Sequence, residues 1–242
     1  MTTPTTKPLV LITGANQGIG LTTARILASK SFHVIIGARN VEAGEKTAAD
    51  LRAQGHSASY LQLDLDSSSS ISSAISTMEK EFGYLDILIN NAGILIDHLG
   101  LPKYELYTKT FSTNVIGPAV LTEGLLPLLR KAKVSPPRII FVSSAMGSIN
   151  LSTDKTVPWY NFEAKAYDAS KAAVNMLVVN FDRVLNGEGR VFAVCPGKVA
   201  TSLTGYDGVS LEEGATRIVE LAVDGEKGDS GTFTHKDGSY PW

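Results

Sequence analysis

Cysteine is nearly absent from this chain, with Cys195 the only one in 242 residues. A single thiol cannot build an internal disulfide framework and fits a reducing compartment, here the cytoplasm. Histidine is scarce as well. His33, His56, His98 and His235 are too dispersed to give a metal-ligand spacing, so no metal site is expected. Charge is balanced: 22 Lys and Arg against 24 Asp and Glu leave a formal net charge of −2. That excludes the basic footprint of a protein for nucleic acid or for an anionic membrane surface. No apolar run approaches the about 18 residues of a membrane span, and residues 1–8 lack the apolar stretch of an export signal. What the chain does have is apolar residues, 43% of the total with 19% charged. This is enough for a sizeable core and excludes a disordered chain.

Periodicity gives a regular alternation. Short apolar runs at residues 8–13, 33–37, 59–63, 85–90, 138–143, 190–194 and 231–234 read as strands, the last as an edge strand. Amphipathic stretches at 18–30, 41–54, 104–131, 167–185 and 211–223 read as helices. Ile71, Ile75, Met78 and Phe82 share one further helical face, with Asp66 as the expected N-cap. Strands alternating with helices imply right-handed crossovers and a doubly wound α/β fold of the Rossmann type. The expectation is a mostly parallel sheet of seven strands with helices on both faces. Residues 1–242 read as a single domain, with a cofactor half over about 1–135 and a catalytic half over about 136–242.

Directly after the first strand comes Thr13-Gly14-Ala15-Asn16-Gln17-Gly18-Ile19-Gly20. Glycines there let the backbone turn tightly and approach a diphosphate, and the next helix offers its free N–H groups. The spacing G-x-x-x-G-x-G, opened by threonine, resembles the short-chain dehydrogenase/reductase family in its compact single-domain form. The resemblance continues in order along nearly the whole chain: Asn90-Asn91-Ala92-Gly93, Asn114, Ser143-Ser144, Tyr167 with Lys171, and Pro196-Gly197 through Val199 to Thr201.

Tyr167 and Lys171 are one helical turn apart and share a face. A neighbouring ammonium would lower the phenol's ordinary pKa of about 10 and make it a usable general acid or base. The resemblance implies that Ser144 hydrogen-bonds the substrate oxygen, that Lys171 also meets the nicotinamide ribose, and that Asn114 holds a water leading from Lys171 to solvent. The alternative for Asn114, beside Pro118, is a solvent-facing helix position. The resemblance further implies cofactor contacts from Gly14, Asn16, Gln17, Gly18, Ile19 and Gly20, from Asp64 and Leu65, from Asn91, Ala92 and Gly93, and from Pro196, Gly197, Val199 and Thr201. Tyr167 and Lys171 belong to that set too.

The second strand ends Gly37-Ala38-Arg39-Asn40, with no carboxylate before Glu42. An acid there selects the unphosphorylated ribose, whereas Arg39 can pair with a 2′-phosphate. NADP(H) is the expected cofactor. The stretch between Ser144 and Tyr167 is longer than in compact members of the family, and the segment after Thr201 is short. Both features resemble the carbonyl-reductase branch. The expected reaction is NADPH-dependent reduction of a small-molecule ketone or aldehyde, with an oxidative alcohol dehydrogenase and a non-catalytic NADP(H)-sensing scaffold as alternatives. Met146, Trp159, Tyr160, Phe162, Lys198 and Tyr206 are the candidate substrate-pocket residues, with residues 151–162 as one wall or as a merely packed insertion. Cys195 reads as a packed strand-end residue rather than a nucleophile. Monomer, homodimer and homotetramer all remain open.

Overall fold

The computed structural model describes residues 7–224 and 228–242. Its strands are β1 (Leu9–Thr13), β2 (His33–Ala38), β3 (Ser57–Gln62), β4 (Ile87–Asn90), β5 (Arg138–Val142), β6 (Arg190–Val194), β7 (Thr232–His235) and β8 (Gly238–Ser239). The helices are α1 (Gly18–Ser29), α2 (Val41–Ala53), α3 (Ser68–Glu81), α4 (Lys103–Phe111), α5 (Gly117–Leu129), α6 (Ile149–Ser152), α7 (Lys165–Leu185) and α8 (Leu211–Val223). The sheet runs β3-β2-β1-β4-β5-β6-β7-β8. Strands β1 to β7 pair in parallel, and β8 pairs antiparallel to β7. The order reverses between β1 and β4, which opens a crevice above their carboxyl ends, where ligands of doubly wound sheets sit.

Strand alternation divides the core in two. Leu9 and Leu11 of β1, with Ile139 and Phe141 of β5, face α3, α5 and α7. Val10 and Ile12, with Ile140 and Val142, face α1, α2 and α8. Every residue of β1 and β5 is buried, as a sheet covered on both faces requires.

Three expectations are corrected. The sheet has eight strands, not seven. The extra one is a two-residue return after Lys236-Asp237, too short to show a period, and it takes the sheet edge from β7. The helix expected over residues 104–131 is broken into α4, a π-helical turn at Ser112–Ile116, and α5. The wider turn carries Asn114 inward, and Asn114 is 2% exposed. A solvent-facing Asn114 is thereby excluded. Asp66 does not cap α3; Ser67 does, its hydroxyl accepting from Ser70 N at 3.2 Å. The Asp66 carboxylate instead accepts from Thr113 Oγ1 at 2.7 Å, joining the loop after β3 to the π turn.

Candidate active site

The crevice is built first by Thr13. Its hydroxyl accepts from the backbone N–H groups of Asn91 and Ala92, both at 3.0 Å. Asn91 Nδ2 returns hydrogen bonds to the carbonyls of Thr13 (2.8 Å) and Gly14 (3.3 Å). The ends of β1 and β4 are thus locked together. Gly14 lies at φ +64° and Gly18 at φ +54°, left-handed conformations that a Cβ disfavours. At Gly20 a Cβ would stand 2.5 Å from Asn91 Nδ2 and 2.6 Å from the Gly14 carbonyl. Helix α1 begins behind this turn at Gln17 with no side-chain cap and no acid in its first turn. Its first N–H groups and its positive dipole end therefore face the crevice without a partner of their own, an arrangement suited to a diphosphate.

A cleft of about 370 Å³ runs over this turn, lined by Asn16, Gln17 and Ile19, by Arg39, by Asp64 and Leu65, and by Ala92, Thr201 and Tyr206. Arg39 is exposed and makes no ion pair among the described residues. The cleft continues through Ile19, Asn91, Gly93, Thr201 and Leu203 into a recess of about 100 Å³. That recess is lined by Ser144, Tyr167, Lys171, Pro196, Gly197 and Val199.

Ser144 lies two residues past the end of β5, and its hydroxyl accepts from Met146 N at 3.2 Å. It also faces the phenol of Tyr167 across the recess and pulls the phenol pKa down, but burial outweighs that pull and holds the phenol above its ordinary value. The phenol is therefore protonated at neutral pH. Lys171 Nζ donates to the Val142 carbonyl at 2.8 Å and lies 5.5 Å from the centre of the Tyr167 ring. Burial lowers its pKa to about 8. The expected net lowering of the phenol is therefore corrected: burial, with the Cys195 and Asp168 charges, raises it.

Asn114 is fully committed. Its amide donates to the Ile94 carbonyl at 2.9 Å and to Ser170 Oγ at 3.0 Å, and its oxygen accepts from Ile94 N at 2.8 Å. It joins the loop after β4 to α7. A Cβ at Gly93 would lie 3.3 Å from Lys171 Nζ and 3.4 Å from Asn114 Oδ1, so the bare glycine brings the loop against both.

Several positioning groups are silent in the sequence. Helix α7 has no side-chain cap of its own at Ala164; Asp97, from the loop after β4, accepts from Ala166 N at 2.9 Å. Burial and the nearby Asp97 charge raise the Asp168 carboxyl to about 6. Cys195 Sγ accepts from Ala145 N (3.2 Å) and Gly197 N (3.4 Å), tying the Ser144 turn to the Pro196-Gly197 turn. Ser143 Oγ donates to Asn175 Oδ1 at 2.6 Å, and Asn175 Nδ2 donates to the Gly147 carbonyl at 3.1 Å. A Cβ on Gly147 would stand 2.6 Å from the Lys171 backbone, so only glycine lets this turn press on α7. None of these partners has a sequence signature, because each is set by contacts between distant segments.

The substrate-pocket candidates are dispersed. Met146 is half-buried on the turn after Ser144. Trp159 packs against the core, its Nε1 buried without a hydrogen-bond partner among the described residues. Tyr160 and Phe162 are 42% and 54% exposed, and the recess beside Tyr167 is lined by neither. Lys198 is ion-paired with Asp207 at the surface. Tyr206 lies on the larger cleft instead. Just ahead of the 151–162 segment the chain is fastened to the C-terminal residues: Ser148 Oγ donates to the Pro241 carbonyl at 2.8 Å and Asn150 N to the Trp242 carbonyl at 3.0 Å. Among the described residues no three His, Cys, Asp or Glu side chains cluster as metal ligands would, and no helix is long and apolar enough to cross a membrane.

Residues 8–208 match the short chain dehydrogenase family. A short-chain dehydrogenase of Penicillium roqueforti is 40% identical over 228 residues, covering 91% of this chain and 90% of that protein. The mouse carbonyl reductase [NADPH] 1 is 31% identical over 278 residues, covering 98% of this chain and 99% of that one. The structure of salutaridine reductase from Papaver somniferum superimposes with a TM-score of 0.80 at 26% identity, covering 94% of this chain and 99% of that chain. The glycine turn, the crevice at the strand-order reversal and these matches agree: the chain belongs to the short-chain dehydrogenase family and is an oxidoreductase acting on CH–OH or C=O groups.

Proposed function

We propose that the protein is an NADPH-dependent carbonyl reductase in which Ser144, Tyr167 and Lys171 form the catalytic set and Asn114 holds their frame. The observation that carries this reading is the convergence of Ser144, Tyr167 and Lys171, its ammonium beside the Tyr167 ring, on one recess continuous with the glycine-lined cleft. When bound, the nicotinamide cofactor supplies hydride to the carbonyl carbon. The chain's residues supply position and the proton. The Ser144 hydroxyl donates to the carbonyl oxygen and fixes its distance from Tyr167. The Tyr167 phenol, kept protonated by burial, gives its proton to that oxygen as negative charge develops there. The Lys171 ammonium then stabilises the phenolate left behind.

A protonated phenol is the loaded form of the acid for reduction. NADPH over NADH rests on Arg39, exposed on the cleft with no acid at the end of β2. The nicotinamide name carried by the mouse relative is NADPH as well. Diphosphate contacts are assigned to Gly14, Asn16 to Gly20 and Thr201, adenine contacts to Asp64 and Leu65, and nicotinamide contacts to Asn91 to Gly93, Pro196, Gly197 and Val199.

A panel of ketones, aldehydes and quinones, with NADPH absorbance as the readout, tests the reading. Steady turnover with at least one activated carbonyl is expected. Tight NADPH binding with no turnover across the panel would make the protein a cofactor-sensing scaffold instead.

A further inference from the structure

Tyr206 combines three properties that a packing residue does not. Its backbone is left-handed at φ +64°, a conformation that a side chain with a Cβ disfavours and that glycine adopts freely. Its ring is 76% exposed, so burial does not hold it there. It also lines the large cleft together with Gln17, Gly18 and Ile19 at the uncapped start of α1. Left-handed non-glycine residues persist where the surroundings over-determine them, and they concentrate at ligand clamps.

The surroundings here do over-determine it. Tyr206 N donates to the Thr201 carbonyl at 2.7 Å. The base of the loop is closed by Ala200 N to the Val209 carbonyl (2.9 Å) and Val209 N to the Lys198 carbonyl (2.8 Å). The Lys198–Asp207 ion pair lies across it. Gly205 and Gly208, in the same loop, also take positive φ, +65° and +135°, as glycine does freely. At Tyr206 a large side chain is kept in spite of the conformation. On the facing wall, a Cβ at Gly18 would be in ordinary contact with Thr201 Cγ2 at 3.7 Å, so the start of this loop lies against the helix start.

We propose that Tyr206 is a clamp on the bound dinucleotide: its phenol donates a hydrogen bond to the diphosphate over the start of α1, and its ring shields that contact from water. The ring lines the cleft but not the recess beside Tyr167, so its contact is with the diphosphate segment rather than the reacting carbonyl. The clamp rests on the cleft being the dinucleotide site. It places Tyr206 in cofactor release rather than in substrate selection.

The test uses the full chain with Tyr206→Asn and Tyr206→Phe. Asparagine tolerates the left-handed conformation better than most residues. Thermal midpoints are measured without cofactor, and NADPH and NADH binding and dissociation are followed by nucleotide fluorescence in stopped flow. Tyr206→Asn is expected to keep or raise the midpoint while the better-bound dinucleotide leaves about tenfold faster, one lost charge-assisted hydrogen bond being of that order. Tyr206→Phe is expected to fall between Asn and wild type. Dissociation within twofold of wild type for Tyr206→Asn, or faster dissociation accompanied by a lower midpoint, would overturn the clamp; Phe equal to wild type would overturn the hydroxyl contact. Preference of the wild type for NADH would overturn the Arg39 reading while leaving Tyr206 to be judged with NADH. Failure to bind either dinucleotide would overturn both.

Discussion

At one end of the cleft Arg39 stands exposed, without an ion pair among the described residues, on a strand end that carries no acid. At the other end Tyr167 and Lys171 are 7% and 4% exposed, the phenol facing Ser144 and the lysine donating to the Val142 carbonyl. The difference fits what the proposed function asks of each end. Recognition of a phosphate needs a mobile, charged group that meets its ligand in solvent. Its contribution is a modest and salt-sensitive few kcal/mol at most. Proton transfer needs fixed donors in a desolvated site, where burial shifts both ionisable groups and a small displacement is costly. The buried end is accordingly cross-braced by Asn114, Asp97, Cys195 and Asn175 from distant segments, whereas the open end rests on the turn between β2 and α2.

The contrast can be broken most severely at the buried end. Tyr167→Phe keeps the ring and removes the transferable proton, so kcat is expected to fall by about 10²–10⁴-fold with NADPH affinity within a few-fold of wild type. Retention of a tenth or more of the activity would remove Tyr167 from the role of acid. The pH profile is the next lever. Lys171 loses its proton as pH rises through about 8, and the proposed mechanism needs the ammonium. Reductive kcat/KM for NADPH, which reports groups of the free enzyme, is therefore expected to decline by about tenfold per pH unit above that value. Lys171→Arg should carry the limb upward past the measurable range, since a guanidinium stays charged. An unshifted limb would assign it to another group.

At the open end the effect is smaller. Arg39→Asp replaces a phosphate partner with a repulsive charge and is expected to lower the NADPH-to-NADH preference by about ten- to a hundredfold, with kcat little changed. An unaltered ratio, measured at low and physiological salt, would place the 2′-phosphate elsewhere. Smallest is the expectation for the 151–162 segment. Phe162→Ala removes an exposed ring, and thermal stability should change by no more than about 0.5 kcal/mol. KM for a bulky ketone should move no more than KM for a small one. A selective rise for the bulky ketone would restore this segment as a wall of the substrate pocket.

Much of the frame is legible in the sequence because strand burial on both faces leaves uninterrupted apolar runs. Residues 190–194 and 211–223 coincide with the observed β6 and α8. The motif residues also lie where a doubly wound sheet brings strand ends together, which is why Gly14, Asn91, Ser144 and Tyr167 meet in one crevice. What was not legible has a common cause. A π turn at Ser112–Ile116 adds a residue to a helical turn without altering composition. The Asp97 cap on α7, the Cys195 bridge and the fastening of residues 148–150 by the C-terminal segment are contacts between segments far apart in the chain. The net shift of Tyr167 was also hidden, since the sequence shows its neighbouring lysine but not the extent of its burial.

The central claim is that hydride and proton converge on one carbonyl, the proton coming from Tyr167 in a site loaded with NADPH. It is tested most directly by single turnover with NADPH deuterated at the transferable C4 position and an activated ketone, followed by analysis of the alcohol. One deuterium at the carbinol carbon per NADPH oxidised is expected for the wild type, and no alcohol for Tyr167→Phe on the same timescale. Oxidation of NADPH without labelled alcohol, or labelled alcohol formed equally fast by Tyr167→Phe, would contradict it.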